Sequence, residues 1–162
     1  MNDIQKGSNS VLKNSPFFIV GCGRSGTTLL RSMLNQHSRL AIPFESLFMV
    51  DYLRASENIP IDVLKNVLMK DHEFKTWNLD LVSEDLTGVN TAKELMDRIH
   101  SLFLKKTGKE RWGQKTPRFV RFWKLLKKNY PKSKFVVVVR DPHAVTSSLM
   151  RSRLHRSNVL FS

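Results

Sequence analysis

An arginine, three hydroxyl side chains and a glycine follow one another in Arg24-Ser25-Gly26-Thr27-Thr28, just after Gly21 and Gly23. These residue types suit anion binding. Glycines let backbone N–H groups turn toward a phosphate-like group without Cβ clashes. A helix beginning near Thr27 would add unpaired N–H groups and the positive end of its dipole. Ser25, Thr27 and Thr28 supply hydroxyl donors, and Arg24 supplies a planar cation matched to oxyanions. The spacing Gly21-x-x-x-x-Gly26 approaches the triphosphate loop Gly-x-x-x-x-Gly-Lys-Ser/Thr, but Thr27 stands where the lysine would be. Thr27 cannot reach β and γ phosphates. The apolar run ending at Val139 leads into Arg140 before Asp141, so no clear metal-binding carboxylate closes it. The loop therefore suits a smaller anionic group, handled without metal, better than a nucleoside triphosphate with Mg²⁺.

Such a loop works only if a strand and a helix hold it. "PFFIV", residues 16–20, reads as a short buried strand, and Thr27 to Gln36 as a helix with Leu30, Met33 and Leu34 on one face. "RLAIPFE" reads as a second strand ended by Pro43, and 46–56 as a helix. Residues 57–112 read as mostly helical. In "TAKELMDRIHSLFLKKTG", Thr91 and Glu94 form a capping-box pattern and Gly108 a stop. Pro117 opens another helix. "KFVVVVR", 134–140, has four consecutive valines and predicts a central parallel strand buried on both faces; "DPHAVTSSLMRSR" then begins a helix. This alternation predicts an α/β fold with a central parallel sheet. Both anion-suited turns, after Val20 and after Val139, leave the carboxyl ends of strands, where such sheets bind ligands.

The composition permits a packed single domain, with 41% hydrophobic residues in 162. Twenty-seven Lys and Arg against 14 Asp and Glu give a formal charge of +13, a field that attracts anions. Charge alone is equally compatible with a solvated basic surface. Cys22 is the single cysteine, so no internal disulfide can form, as suits a reducing compartment. Within the loop it reads as a small packing residue, since no histidine is placed beside it. Residues 1–15 read as a flexible tail without signal-peptide character, and no stretch reaches the ~18 apolar residues of a membrane span. A cytoplasmic location is expected.

Two motifs together reach a family. "FFIVGCGRSGTTLLRSML" resembles the 5′-phosphosulfate loop of sulfotransferases, and "VVVVRDPHAVTSSL" resembles their 3′-phosphate motif, an arginine at a strand end with a serine eight residues on. The resemblance runs from Phe17 to Arg153 and is nearest the branch with bacterial and tyrosylprotein-type members, by "RSGTTLL" and "WGQKTP". It implies a P-loop-like three-layer fold over 16–162 and sulfuryl transfer from 3′-phosphoadenosine 5′-phosphosulfate to a hydroxyl or amine, without metal. By the same resemblance Gly23, Arg24, Ser25, Gly26, Thr27 and Thr28 cradle the 5′-phosphosulfate, Arg24 also touching the transferred group, and Arg140 and Ser148 hold the 3′-phosphate. Glu45 matches the position of a catalytic base and Lys115 that of a lysine stabilising the bridging oxygen. Each keeps a plainer alternative: Arg140 as a turn arginine, Glu45 as a capping or surface carboxylate, Lys115 as one more basic surface residue. His37, His72, His100, His143 and His155 lie in no comparable motif and read as structural or solvated. The implied partner is a small-molecule, glycan or peptide acceptor, with no nucleic acid expected. The chain stops at Ser162, soon after the second motif, where the family usually continues, so an incomplete C-terminal part is expected. A P-loop nucleotide kinase and a non-enzymatic basic anion- or nucleic-acid-binding module are the competing readings.

Overall fold

Residues Phe17–Gly21 pair on both sides, so the sheet is built on them. In the computed structural model, which describes residues 15–152, β1 (Phe17–Gly21), β2 (Leu40–Ala41), β3 (Arg111–Lys115) and β4 (Lys134–Val138) form a four-stranded parallel sheet in the order β2-β3-β1-β4. The helices are α1 (Thr27–Asn35), α2 (Leu47–Ala55), α3 (Ile61–Lys70), α4 (His72–Lys75), α5 (Ala92–Thr107), α6 (Trp123–Asn129) and α7 (Pro142–Arg151), with single 3₁₀ segments at Ser83–Leu86 and Pro117–Phe122. Apart from Ser15, the expected N-terminal tail lies outside the described residues, as do 153–162 with His155.

Alternation along β1 separates two cores. Phe18 and Val20 join a large cluster with Met49, Leu95, Ile99, Trp112 and Phe119, built from the layer of α2 to α6. Phe17 and Ile19 point the other way and pack with Ile42 and with Leu30 and Leu34 of α1. The result is the expected three-layer α/β arrangement. Phe18 is fully buried, and the rings of Trp112, Phe119, Tyr130 and Phe135 surround it at centroid distances of 5.3 to 6.2 Å. Truncating it to alanine would remove ~3–5 kcal/mol. At α5 the Thr91 hydroxyl accepts from Glu94 N–H at 3.1 Å, and Gly108 ends the helix in the left-handed region.

Two elements differ from expectation. β3 was not foreseen, because "RWGQK" carries a glycine and long polar side chains instead of β-branched ones. Gly113 is there because the Phe17 ring crosses it: a Cβ would lie 2.3 Å from the ring. Among the described residues β4, expected at the centre, pairs with β1 alone and stands at the edge of the sheet. There Val137 is 59% exposed, and Val139, just beyond the strand, 86%. A valine run marks a strand surface that favours burial; it does not fix the position in strand order. No helix among the described residues is long and apolar enough to cross a membrane.

Candidate active site

The register of β1 and β3 decides what stands at the carboxyl end of the sheet. Ile19 is opposite Lys115 and Phe18 is opposite Gln114. Adjacent residues in parallel strands share a face, so Lys115 points with Ile19 toward α1, and Gln114 points with Phe18 into the helical layer. Lys115 is only 3% exposed, yet its ammonium donates to Thr28 Oγ1 at 3.2 Å and forms a close ion pair with Glu45. Thr28 lies in the first turn of α1. The strand thus delivers a buried cation to the helix N-terminus, beside the loop that lacks its own lysine. Glu45 is half exposed on the open side of the pair.

The loop between β1 and α1 is backbone-driven. Gly26 caps α1 with φ 100° and no side-chain hydrogen bond, leaving the first-turn N–H groups without a side-chain cap. Arg24 also has a positive φ, 67°. That is costly for a residue with a Cβ, and such strain gathers at functional loops. Gly21 is required by packing, since a Cβ there would sit 2.5 Å from the Val138 carbonyl oxygen. Two of the residues expected to supply hydroxyl donors are buried. Ser25 is buried and its Oγ donates to the Cys22 carbonyl at 2.6 Å, while Thr27 is 3% exposed. Thr28 keeps an exposed position. Gly23 and Cys22 are exposed at the outer edge of the turn.

The second motif arrives at the same place. Arg140, just beyond β4, donates from Nη1 to the Arg24 carbonyl at 3.0 Å. Ser148, on α7, accepts from Arg24 Nε at 3.1 Å. Residues more than a hundred positions apart in the chain therefore form one cationic cluster that includes the Ser148 hydroxyl. Asp141 caps α7 through a bond from Ala144 N–H at 2.9 Å, so it serves the helix.

Glu45 owes its place to the segment that leaves β2. Asn35 clasps Ile42 with two 2.8 Å bonds, one to its N–H and one to its carbonyl. Arg31 Nε donates to the carbonyls of Ile42 and Pro43 at 3.1 and 2.9 Å, and its guanidinium lies 4.4 Å from the Phe44 ring centre. Burial pulls the Arg31 pKa below its usual value, and the Glu45 carboxylate opposes that pull. Leu47 N–H donates to Glu73 Oε2 at 2.7 Å. Arg31, Asn35 and Glu73 were not singled out from sequence; no motif marks them, and only the backbone trace brings them to this loop.

Comparison with known proteins bears on the descent and the fold of the chain. A profile described as the Sulfotransferase family matches residues 16–160. Nodulation protein NoeE of Sinorhizobium fredii is 26% identical over 138 residues, covering 82% of this chain and 30% of that protein. The solved sulfotransferase domain from the curacin biosynthetic pathway superposes with a TM-score of 0.54 at 21% identity, over 92% of this chain and 54% of that one. The chain therefore spans less than two thirds of each relative. At that identity the structural likeness speaks for the fold, and the profile, which runs from the strand before the loop to beyond α7, speaks for descent. This chain belongs to the sulfotransferase family.

Proposed function

We propose that this chain carries the donor site and the reacting pair of a sulfotransferase that moves a sulfuryl group from 3′-phosphoadenosine 5′-phosphosulfate to a hydroxyl or amine. The observation that carries the reading is the meeting of Arg24, Arg140 and Ser148 at the mouth of a glycine loop that opens a helix. Two cations and a hydroxyl beside uncapped helix N–H groups suit a ligand with two separated anionic groups. The donor supplies an activated sulfuryl group on a phosphate oxygen. The first-turn N–H groups of α1, Thr28 and Arg24 are the groups placed to hold the 5′ end, and Arg140 with Ser148 the 3′-phosphate. No metal is needed in this reading, because Lys115 supplies the positive charge.

Transfer breaks the bond between sulfur and the bridging oxygen and forms one between sulfur and the acceptor oxygen or nitrogen. Glu45, open to the surface, takes the acceptor's proton. Lys115, held beside Thr28, donates to the bridging oxygen as it gains negative charge; losing one such donor costs ~3 kcal/mol of barrier. A small-molecule, glycan or peptide acceptor fits a half-exposed base.

The test separates binding from chemistry. Calorimetric titration with 3′-phosphoadenosine 5′-phosphate is expected to weaken at least tenfold in Arg24→Ala and Arg140→Ala and to stay unchanged in Glu45→Ala. With ³⁵S-labelled donor and a panel of alcohol, phenol and amine acceptors, Glu45→Ala is expected to lose turnover. Undiminished turnover in Glu45→Ala would remove Glu45 as the base, and undiminished binding in both arginine variants would remove the donor site.

A further inference from the structure

The end of β3 touches the Glu45 segment with three successive side chains. Gln114 Nε2 donates to the Phe44 carbonyl at 2.9 Å, Lys115 pairs with Glu45, and Thr116 Oγ1 accepts from Ser46 N–H at 3.2 Å. Residues 114, 115 and 116 thus meet residues 44, 45 and 46 one for one. All three β3-side residues are nearly or fully buried, Gln114 and Thr116 at 0% exposure. A buried carboxamide with no partner would be costly, so its presence is informative.

Gln114 is itself fixed from behind. His100 of α5 is fully buried and stacks on Trp112 with centroids 3.8 Å apart. Its Nδ1 donates to the Met96 carbonyl at 2.6 Å, which sets the ring; Nε2 lies 3.3 Å from Gln114 Oε1, a contact that is a hydrogen bond only when the ring is doubly protonated, so the neutral ring backs the carboxamide by packing. The carboxamide cannot swing into the helical layer without striking the ring. Its amino group is left aimed at Phe44.

We infer that Gln114, backed by His100 and joined by Thr116, is a positioning residue that holds the Glu45 backbone in register with Lys115. The inference rests on the reading of Glu45 as the base. Gln114 reaches Glu45 only through the Phe44 carbonyl, and Thr116 only through the Ser46 N–H. The two grips lie on either side of Glu45, so its carboxylate is set by β3 on both flanks while the side chain stays open to an acceptor. Loosening a grip should leave the donor site intact, since Gln114 and Thr116 touch none of Arg24, Thr28, Arg140 or Ser148.

Gln114→Leu keeps the volume and removes the carboxamide; Thr116→Val removes the acceptor at almost constant shape and gives a second variant should the first fold poorly. Each is compared with the parent chain, and again in a Glu45→Gln background. Expected are a ten- to hundredfold lower kcat for ³⁵S transfer to the acceptor panel, unchanged affinity for 3′-phosphoadenosine 5′-phosphate, and faster amide exchange confined to residues 44–47. In the Glu45→Gln background the same substitutions should change kcat less than twofold, since they act through Glu45. Full kcat with parental exchange at 44–47 overturns the positioning role. Equal loss of kcat in both backgrounds overturns it too, by showing an effect that bypasses Glu45. Parental kcat in Glu45→Gln alone is a distinct result: it overturns the base and, with it, this inference.

Discussion

The Lys115–Glu45 pair should respond asymmetrically to removal of either partner. Lys115 is 3% exposed and Glu45 49%. Glu45→Gln leaves a buried ammonium with the Thr28 hydroxyl as its remaining named partner. Breaking a fully buried pair in this way costs ~3–5 kcal/mol. Here water reaches the carboxylate side, which screens the interaction and brings the expected loss to ~1–2 kcal/mol. Lys115→Met has the opposite character. It puts an apolar side chain into a buried space and leaves a half-solvated carboxylate, so stability should change by less than ~1 kcal/mol. The double variant should match Lys115→Met, giving a coupling of ~1–2 kcal/mol between the two positions. Both single variants should nevertheless lose ~10²–10³ in turnover if the pair performs the chemistry. Urea unfolding of the four proteins at pH 7.5 reads the coupling, and ³⁵S transfer reads the rate. If Lys115→Met were as destabilising as Glu45→Gln, or if the two effects simply added, the ammonium would not be a desolvated charge held by Glu45, and the reasoning would fail.

Two other outcomes concern the scaffold. Burial pulls the His100 pKa from 6.5 down to about 4, against opposing contributions from the Met96 carbonyl, Gln114 and Asp97. The unfolded chain binds that proton first, so stability should fall as pH drops from about 6.5 toward 4, by up to ~3 kcal/mol at ~1.4 kcal/mol per pH unit. Urea unfolding at pH 7.5 and 4.5 should show a smaller fall in His100→Phe; an equal fall would mean that His100 is not buried as a neutral ring. Gly21→Ala forces its Cβ against the Val138 carbonyl; a loss of ~1–3 kcal/mol is expected, and wild-type thermal stability would contradict the close β1–β4 approach.

The elements that were legible are those whose local signals agree with their tertiary role. Thr91, Glu94 and Gly108 bound α5 because capping is a local event. Phe17 to Gly21 read as a buried strand because both of its faces carry cores. Strand order was not legible, since pairing partners lie far away in sequence. β3 was missed for a related reason. Its Gly113 answers the Phe17 ring, and its Gln114 and Lys115 answer Phe44, Glu45 and Thr28, none of which a local pattern can anticipate. That the loop would meet Arg140 and Ser148 was legible through the resemblance of the two motifs to one family. The inward turn of Ser25 was not, because its hydroxyl is taken up by the Cys22 carbonyl across the turn. "WGQKTP" pointed to Lys115, while its neighbours Gln114 and Thr116 emerge only when the strand's alternation is placed against residues 44–46.

We propose the cluster of Arg24, Arg140 and Ser148 at the start of α1 as a donor site for a nucleotide with 5′ and 3′ anionic groups. Calorimetric titration of the chain with 3′-phosphoadenosine 5′-phosphate, beside ATP with Mg²⁺, tests it most directly. Binding of the bisphosphate is expected to be unaffected by EDTA and at least tenfold tighter than that of ATP–Mg²⁺. Preference for ATP–Mg²⁺, or equal affinity for the two, would contradict it.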